Sequence, residues 1–172
     1  HPRVDLHQPG PGVGGHCLPI DPWFLGQGSE ELDLIATARS VNDGMSGYVI
    51  ELLREELGTL ANCRIAVLGI AYKGNVGDTR MSPGLKLASE IQHGITEEPP
   101  KAADGGEHDS PEVRIHDPHV TDSQLDLLDL ERAITDADAA VITTDHDEFE
   151  DLTPGNFRER MSGSVVIDTK AV

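Results

Sequence analysis

Cys17 closes a glycine-dense loop, the setting in which a thiol is most often put to chemical use. It lies in the run Pro-Gly-Pro-Gly-Val-Gly-Gly-His-Cys-Leu-Pro-Ile-Asp-Pro, residues 9 to 22. Glycines admit backbone shapes closed to other residues, so a ligand can lie against bare N–H groups beside the sulfur. Pro19 and Pro22 then stiffen the exit from the loop. A thiolate is a strong nucleophile near neutral pH, and nearby N–H dipoles or a cation lower its pKa. Asp21, four residues on, adds a carboxylate suited to proton transfer. Cys63 sits in Leu-Ala-Asn-Cys-Arg-Ile-Ala-Val, just before an apolar run, and reads as an inert structural thiol.

A second chemically loaded stretch runs from Tyr72-Lys73-Gly74 to Arg80. It follows an apolar run and precedes a helix, so its two cations stand near a helix N-terminus, where phosphate groups bind. The competing reading pairs them with Asp78 and other acids as ordinary surface charges, and the residues alone leave both open. Gly69, Gly74 and Gly77 do not have the spacing of a dinucleotide fingerprint or a P-loop. His116, Asp117, His119 and the run Asp145-His146-Asp147-Glu148 mix imidazole with carboxylate, but no thiolate or HExxH pattern joins them. They read as solvated surface acids, and no metal site is expected.

The elements that must position these residues follow a simple order. Residues 1 to 28 are loop with a short helix near Trp23 to Leu25. A long helix capped by Ser29 continues to about Leu57, with bends allowed at Gly44 and Gly47 and a stop at Gly58. Its apolar face, from Leu32 to Leu53, suits a core or dimer helix. Apolar runs at Ile65–Ile70, Val113–His116, Ala139–Thr143 and Val165–Asp168 read as strands. They alternate with helices at Pro83–His93, Ser123–Ile134 and Pro154–Met161. That alternation implies a parallel sheet covered on both faces, an α/β fold with a helical central segment (1–60) before a Rossmann-like domain (61–172). The stretch at about 96–112, rich in Pro, Gly and acids, reads as an exposed insertion. Phe149, Phe157 and Trp23 are assigned to the core or an interface, and Asn42 to ordering the central helix.

Composition narrows the class. The 172 residues carry a net charge of −18, from 31 acidic against 13 basic side chains, and only 4 of the latter are Lys. Acids spread along the whole chain suggest a protein kept soluble in high salt, hence a halophilic source. The same charge excludes a nucleic-acid surface, which needs a basic stripe. No apolar run reaches membrane-spanning length, so no membrane partner is expected. Two cysteines in unrelated contexts make no disulfide framework, and a reducing cytoplasm is the default location. The chain opens with His1 inside a loop, as part of a longer protein would.

Taken together, these pieces resemble the UDP-glucose/GDP-mannose dehydrogenase family along essentially the whole chain. The matching stretches are residues 12 to 21, Arg-Ser-Val-Asn-Asp (39 to 43), Leu-Gly-Ile-Ala-Tyr-Lys-Gly-Asn-Val-Gly-Asp-Thr-Arg-Met-Ser-Pro (68 to 83), His-Asp-Pro (116 to 118) and Val-Ile-Asp-Thr (166 to 169). The resemblance implies NAD as cofactor and a four-electron oxidation of a sugar-nucleotide C6 alcohol to a carboxylate. Cys17 matches the family nucleophile and Asp21 the motif carboxylate. Gly12, Val13 and Gly14 match the loop along the sugar, while Tyr72 and Lys73 match positions that hold UDP. Lys170 matches one that reaches the sugar, and Arg3 lies near an arginine that crosses the family dimer. Cys17 and Leu18 match the strip facing the nicotinamide half, and Arg80 a contact to the NAD phosphates. The resemblance also implies a homodimer through the central helix.

Ile20 stands where glucose dehydrogenases have Lys, and Lys170 where they have Arg. Both departures, with His16-Cys17 and Asp21-Pro22, look more like the UDP-N-acetyl-hexosamine dehydrogenases. The family's N-terminal dinucleotide-binding domain has no counterpart here, so no turnover is expected from these residues alone. The rival from another class is a non-catalytic nucleotide-sugar-binding or dimerisation module. Such a module would keep Lys73 and Arg80 but has no use for Cys17 with Asp21.

Overall fold

The computed structural model describes residues 9–26, 32–94, 110–122 and 124–172. The expected Ser29 cap, Arg3 and most of the 96–112 insertion lie outside the described residues. Four strands, β1 (Arg64–Leu68), β2 (Glu112–His116), β3 (Ala139–Ile142) and β4 (Val165–Asp168), form a parallel sheet in the order β2-β1-β3-β4. Leu68 pairs with His116 and Ile142, and Ile142 with Asp168, so all four strands end in one row. That row is the edge where ligands of open α/β sheets bind.

The central strands β1 and β3 bury both faces, which explains their near-continuous apolar runs, while the outer strands β2 and β4 are only partly buried. Ile65 and Val67 turn toward α3 (Met45–Leu57) and α4 (Pro83–His93), meeting Val49, Ile50, Leu53, Leu87 and Ile91. Ala66 and Leu68 turn the other way, toward Ala133, Ile134, Phe149, Phe157 and Met161. These come from α5 (Leu130–Ile134), α6 (Asp147–Glu150), α7 (Pro154–Arg160) and the residue that follows it. Helix α3, expected to belong with the central segment, thus also builds the sheet's core.

The structure refines the sequence reading in several places. The long central helix is two helices, α2 (Asp33–Asp43) and α3, parted at Gly44. The helix expected from Ser123 begins only at Leu130. Asp129 caps it by accepting from Arg132 N–H at 2.8 Å. Just upstream, Leu128 N–H donates to the Ile115 carbonyl at 2.8 Å, so that segment runs along the sheet edge instead. Trp23 lies in the short helix α1 (Asp21–Leu25), which buries none of its residues, and is 48% exposed rather than core. No described helix is long and apolar enough to cross a membrane.

The outer face of α3 carries exposed Glu51, Glu55 and Glu56 around a single Arg54. Self-repulsion of this kind opposes compaction and is screened by salt. Raising KCl from about 0.1 M to 1 M shortens the screening length from about 10 to 3 Å. The thermal unfolding midpoint is expected to rise over that range, as followed by circular dichroism.

Candidate functional site at the carboxyl edge of the sheet

Directly after β1 the chain turns at Gly69, with φ +87°. A Cβ there would stand 2.6 Å from the Thr144 Cβ, so only glycine lets the post-β1 and post-β3 loops touch. Thr143 Oγ1 donates to the Gly69 carbonyl and Thr144 Oγ1 to the Ala71 carbonyl at 2.9 Å. This packing fills the switch point between β1 and β3.

Asp117, at the end of β2, has a fully buried side chain that accepts five hydrogen bonds. Oδ2 takes Ile70 N–H at 2.6 Å, Ala71 N–H at 3.0 Å and His146 Nε2 at 3.1 Å. Oδ1 takes His119 and Val120 N–H at 2.9 and 3.0 Å. Burial alone would raise the pKa of this carboxyl. The hydrogen bonds from His146 and from the Ile70 and His119 amides outweigh it and hold the group well below the usual carboxylate range.

The cysteine loop lies across this edge. Gly15 N–H donates to the Arg80 carbonyl at 3.0 Å, and Val13 N–H to Asn42 Oδ1 at 2.9 Å. Two N–H groups expected to stand bare for a ligand are therefore spent on holding the loop. Gly14 is buried, and a Cβ there would come 2.5 Å from the Met81 carbonyl oxygen and 2.9 Å from Tyr72 Cβ. The sulfur bearer, Cys17, is exposed. Its carbonyl accepts from Ile20 and Asp21 N–H at 2.9 and 2.7 Å, so the thiol-bearing and carboxylate-bearing residues sit one turn apart.

Arg80 lies within electrostatic reach of Tyr72 and Cys17, although Asp78 is its main partner. Its guanidinium grips Asp78 at 2.5 Å while the side chain stays 61% exposed. That grip holds the Asp78 carboxyl down to about 2 and raises Arg80 itself. Lys73 is exposed on the same loop and has no ion-pair partner among the described residues. Gly74 backs onto the Asp145 carbonyl, and Asp145 Oδ2 lies 3.7 Å from Lys170 Nζ. The Lys170 side chain passes under Gly10. The structure thus brings Gly12, Val13, Gly14, Cys17, Leu18, Asp21, Tyr72, Lys73, Arg80 and Lys170 to one end of the sheet.

Cys63 is half-buried, and its thiol donates to the Thr59 carbonyl at 3.3 Å. Burial, with a smaller contribution from Asp138, pushes its pKa up. His119, His146 and Glu148 cluster with potential ligand atoms within 4.8 Å. Yet His146 accepts from Asn75 N–H through Nδ1 at 3.0 Å and engages Asp117 through Nε2. Neither nitrogen keeps a free lone pair, so the cluster is a poor metal site.

A parallel sheet wrapped on both faces, with a cysteine loop over its carboxyl edge, defines a Rossmann-like α/β protein of the nucleotide-binding type. The sequence profile of the UDP-glucose/GDP-mannose dehydrogenase family, UDP binding domain, matches residues 66–172, and that of the family's central domain matches residues 1–44. The chain belongs to this family. A UDP-N-acetyl-D-mannosamine dehydrogenase of Methanocaldococcus jannaschii is 36% identical over 180 residues, covering 100% of this chain and 37% of that protein. One from Salmonella typhi is 36% identical over 185 residues, covering 100% of this chain and 40% of its own length. The solved structure of a UDP-D-ManNAc dehydrogenase from Pyrococcus horikoshii superposes with a TM-score of 0.78 at 38% identity, across 99% of this chain and 38% of that one. The chain therefore spans about two-fifths of the relatives it matches.

Proposed function

We propose that this chain supplies the nucleophile and the nucleotide-sugar site of an NAD-dependent UDP-sugar 6-dehydrogenase acting on an N-acetyl-hexosamine. One observation carries the reading: an exposed thiol, Cys17, sits one turn from Asp21 and beside Arg80 and Tyr72 at the sheet's carboxyl edge. Residues 1–60 act as the cysteine-bearing central segment and 61–172 as the nucleotide-sugar domain, with 96–112 as an insertion. Tyr72 and Lys73 hold the UDP end, Lys170 reaches the sugar, and Gly12, Val13 and Gly14 shape its floor. Arg3 completes the set from across a dimer.

Only part of NAD fits these residues. The Arg80 guanidinium, paired with Asp78 yet 61% exposed, can still offer its outer N–H groups to a phosphate beside Cys17 and Leu18. NAD, when bound, would accept one hydride per molecule, so two molecules serve in turn, and the C6 alcohol would give up its first hydride together with its hydroxyl proton to become the aldehyde. The Cys17 thiolate adds to the C6 aldehyde, forming a C–S bond while the carbonyl oxygen takes a proton. Loss of hydride from that carbon, with the hydroxyl proton passing to solvent, leaves a thioester on Cys17. Water, deprotonated by Asp21, cleaves the C–S bond, returning the thiolate and releasing the carboxylate. Covalent capture keeps the aldehyde from escaping between the two oxidations.

Two copies join through the central helices. Leu34, Val41 and Tyr48 recur every seven residues and remain 83%, 64% and 53% exposed, an apolar seam suited to a second copy. A reducing cytoplasm keeps Cys17 a thiol. The reading is tested by iodoacetamide labelling followed by peptide mass spectrometry. One adduct forms rapidly at Cys17, while Cys63, half-buried with its pKa raised, reacts at least about tenfold more slowly. Equal labelling of the two thiols would favour the non-catalytic binding module.

A further inference from the structure

We propose that His146 is a positioning residue for the loop that carries Tyr72 and Lys73, locking Asn75 on one side and Asp117 on the other. The inference rests on the reading of Tyr72 and Lys73 as UDP ligands. His146 is fully buried, and its ring is wedged between His119, stacked at 4.8 Å, and Phe149, edge-on at 5.4 Å. His119 is held in turn by Glu148 at 3.1 Å.

The wedge fixes both ring nitrogens on the loop's supports. Nδ1 accepts Asn75 N–H at 3.0 Å, and Nε2 donates to Asp117 Oδ2 at 3.1 Å. That same Asp117 oxygen takes the Ile70 and Ala71 amides, and Thr144 binds the Ala71 carbonyl. Asn75, in the left-handed region with φ +59°, is tied again through its side chain to Asp147, at 2.7 Å from Nδ2 to Oδ1. Residues 70 and 71 are thus fixed at one end and residue 75 at the other, leaving only Tyr72, Lys73 and Gly74 between the anchors. So short a span keeps little conformational freedom, and Tyr72 N–H, donating to the Asp78 carbonyl at 2.9 Å, removes part of what remains. Joining the two anchors requires a side chain that accepts at one atom and donates at another. A neutral imidazole protonated at Nε2 does both.

This division of labour can be tested because Gln and Asn each mimic one half of the ring. His146→Gln places an amide N–H near the Nε2 position and loses the acceptor for Asn75. His146→Asn places a carbonyl near the Nδ1 position and loses the donor to Asp117. Titration calorimetry of the 172-residue chain with UDP is expected to show Kd rising at least about tenfold in His146→Gln. In His146→Asn it should recover to within about threefold of the parent, because Asn75 regains its acceptor while Asp117 stays anchored by its four backbone N–H donors. Nitrogen-15 NMR of the parent should show His146 Nδ1 unprotonated and Nε2 protonated.

Lys73→Ala serves as the reference variant, with UDP affinity reduced. If it weakens UDP while His146→Gln does not, the positioning role is overturned and the UDP reading stands. Equal losses in the Gln and Asn variants, tracking their thermal midpoints, would show a merely structural ring and also overturn it. A proton on Nδ1 in the parent would do the same. UDP binding that is absent, or indifferent to Lys73, removes both the site reading and the inference built on it.

Discussion

An enzyme in which Cys17 is replaced by Ala is expected to lose formation of the sugar carboxylate by at least about 10⁴-fold, the scale on which removal of a covalent nucleophile is felt. The stoichiometry is more telling than the rate. Carboxylate formation from a C6 alcohol delivers two hydrides, and in the proposed mechanism only the second passes through the sulfur. The variant should therefore yield at most one NADH per sugar, with aldehyde released, where the parent yields two. Both quantities follow from absorbance at 340 nm with product analysis, in the protein completed by the family's N-terminal domain. Full carboxylate yield in the variant would remove Cys17 from the chemistry. UDP affinity should hardly change, because the loop is fixed by Gly15 on Arg80 and Val13 on Asn42, bonds the substitution leaves in place.

How much of this could be read from residues alone depends on how local each determinant is. Helix α4 was legible to the residue because its signals are adjacent. Ser82 caps it, accepting from Leu85 N–H at 3.2 Å, Pro83 opens it and Gly94 ends it. Strands β1 and β3 are legible because burial on both faces writes a short apolar run into the chain, whereas the outer strands keep enough apolar residues to show against their polar flanks. The stretch before Leu130 was misjudged because a contact with Ile115, twelve or more residues away, outcompeted helical propensity. Helix α6 was missed because a single turn of Asp, Glu, Phe and Glu looks like a solvated acid run.

The candidate site divides in the same way. Cys17, Asp21, Lys73 and Arg80 stand out by residue type. Their supports do not. Asn42 reaches Val13 across 29 residues of chain, and His146 reaches Asp117 across another 29. Asn42 had been assigned to ordering its own helix, and Asp117 and His146 to a solvated surface. Each is an internal strut of the loops that present the chemistry. Only their place within long matched stretches, 39 to 43 and 116 to 118, could have drawn attention to Asn42 and Asp117. Nothing comparable marked His146.

Asp117 is the strut on which stability depends most. Replacing it with Ala leaves four buried backbone N–H groups and His146 Nε2–H without an acceptor. Breaking a buried charged network by removing one partner costs about 3–5 kcal/mol. For a chain of this size that corresponds to a fall of about 10 °C in the thermal midpoint. Asp117→Asn offers little relief, since its amide hydrogens would face the donors around Oδ1 or Oδ2. The pH dependence separates this carboxylate from ordinary core packing. Its pKa in the folded chain lies below the unfolded value of about 3.9, so the stability it confers is complete above that pH. It is lost as the pH falls from there toward the folded pKa. Urea titrations from pH 7 to 2.5 should therefore show parent stability dropping below about pH 4. Asp117→Asn, already lacking this contribution, should follow a shallower acid limb that approaches the parent curve at the lowest pH. Parallel acid limbs in the two proteins would mean that this carboxylate is not the group whose protonation opens the fold.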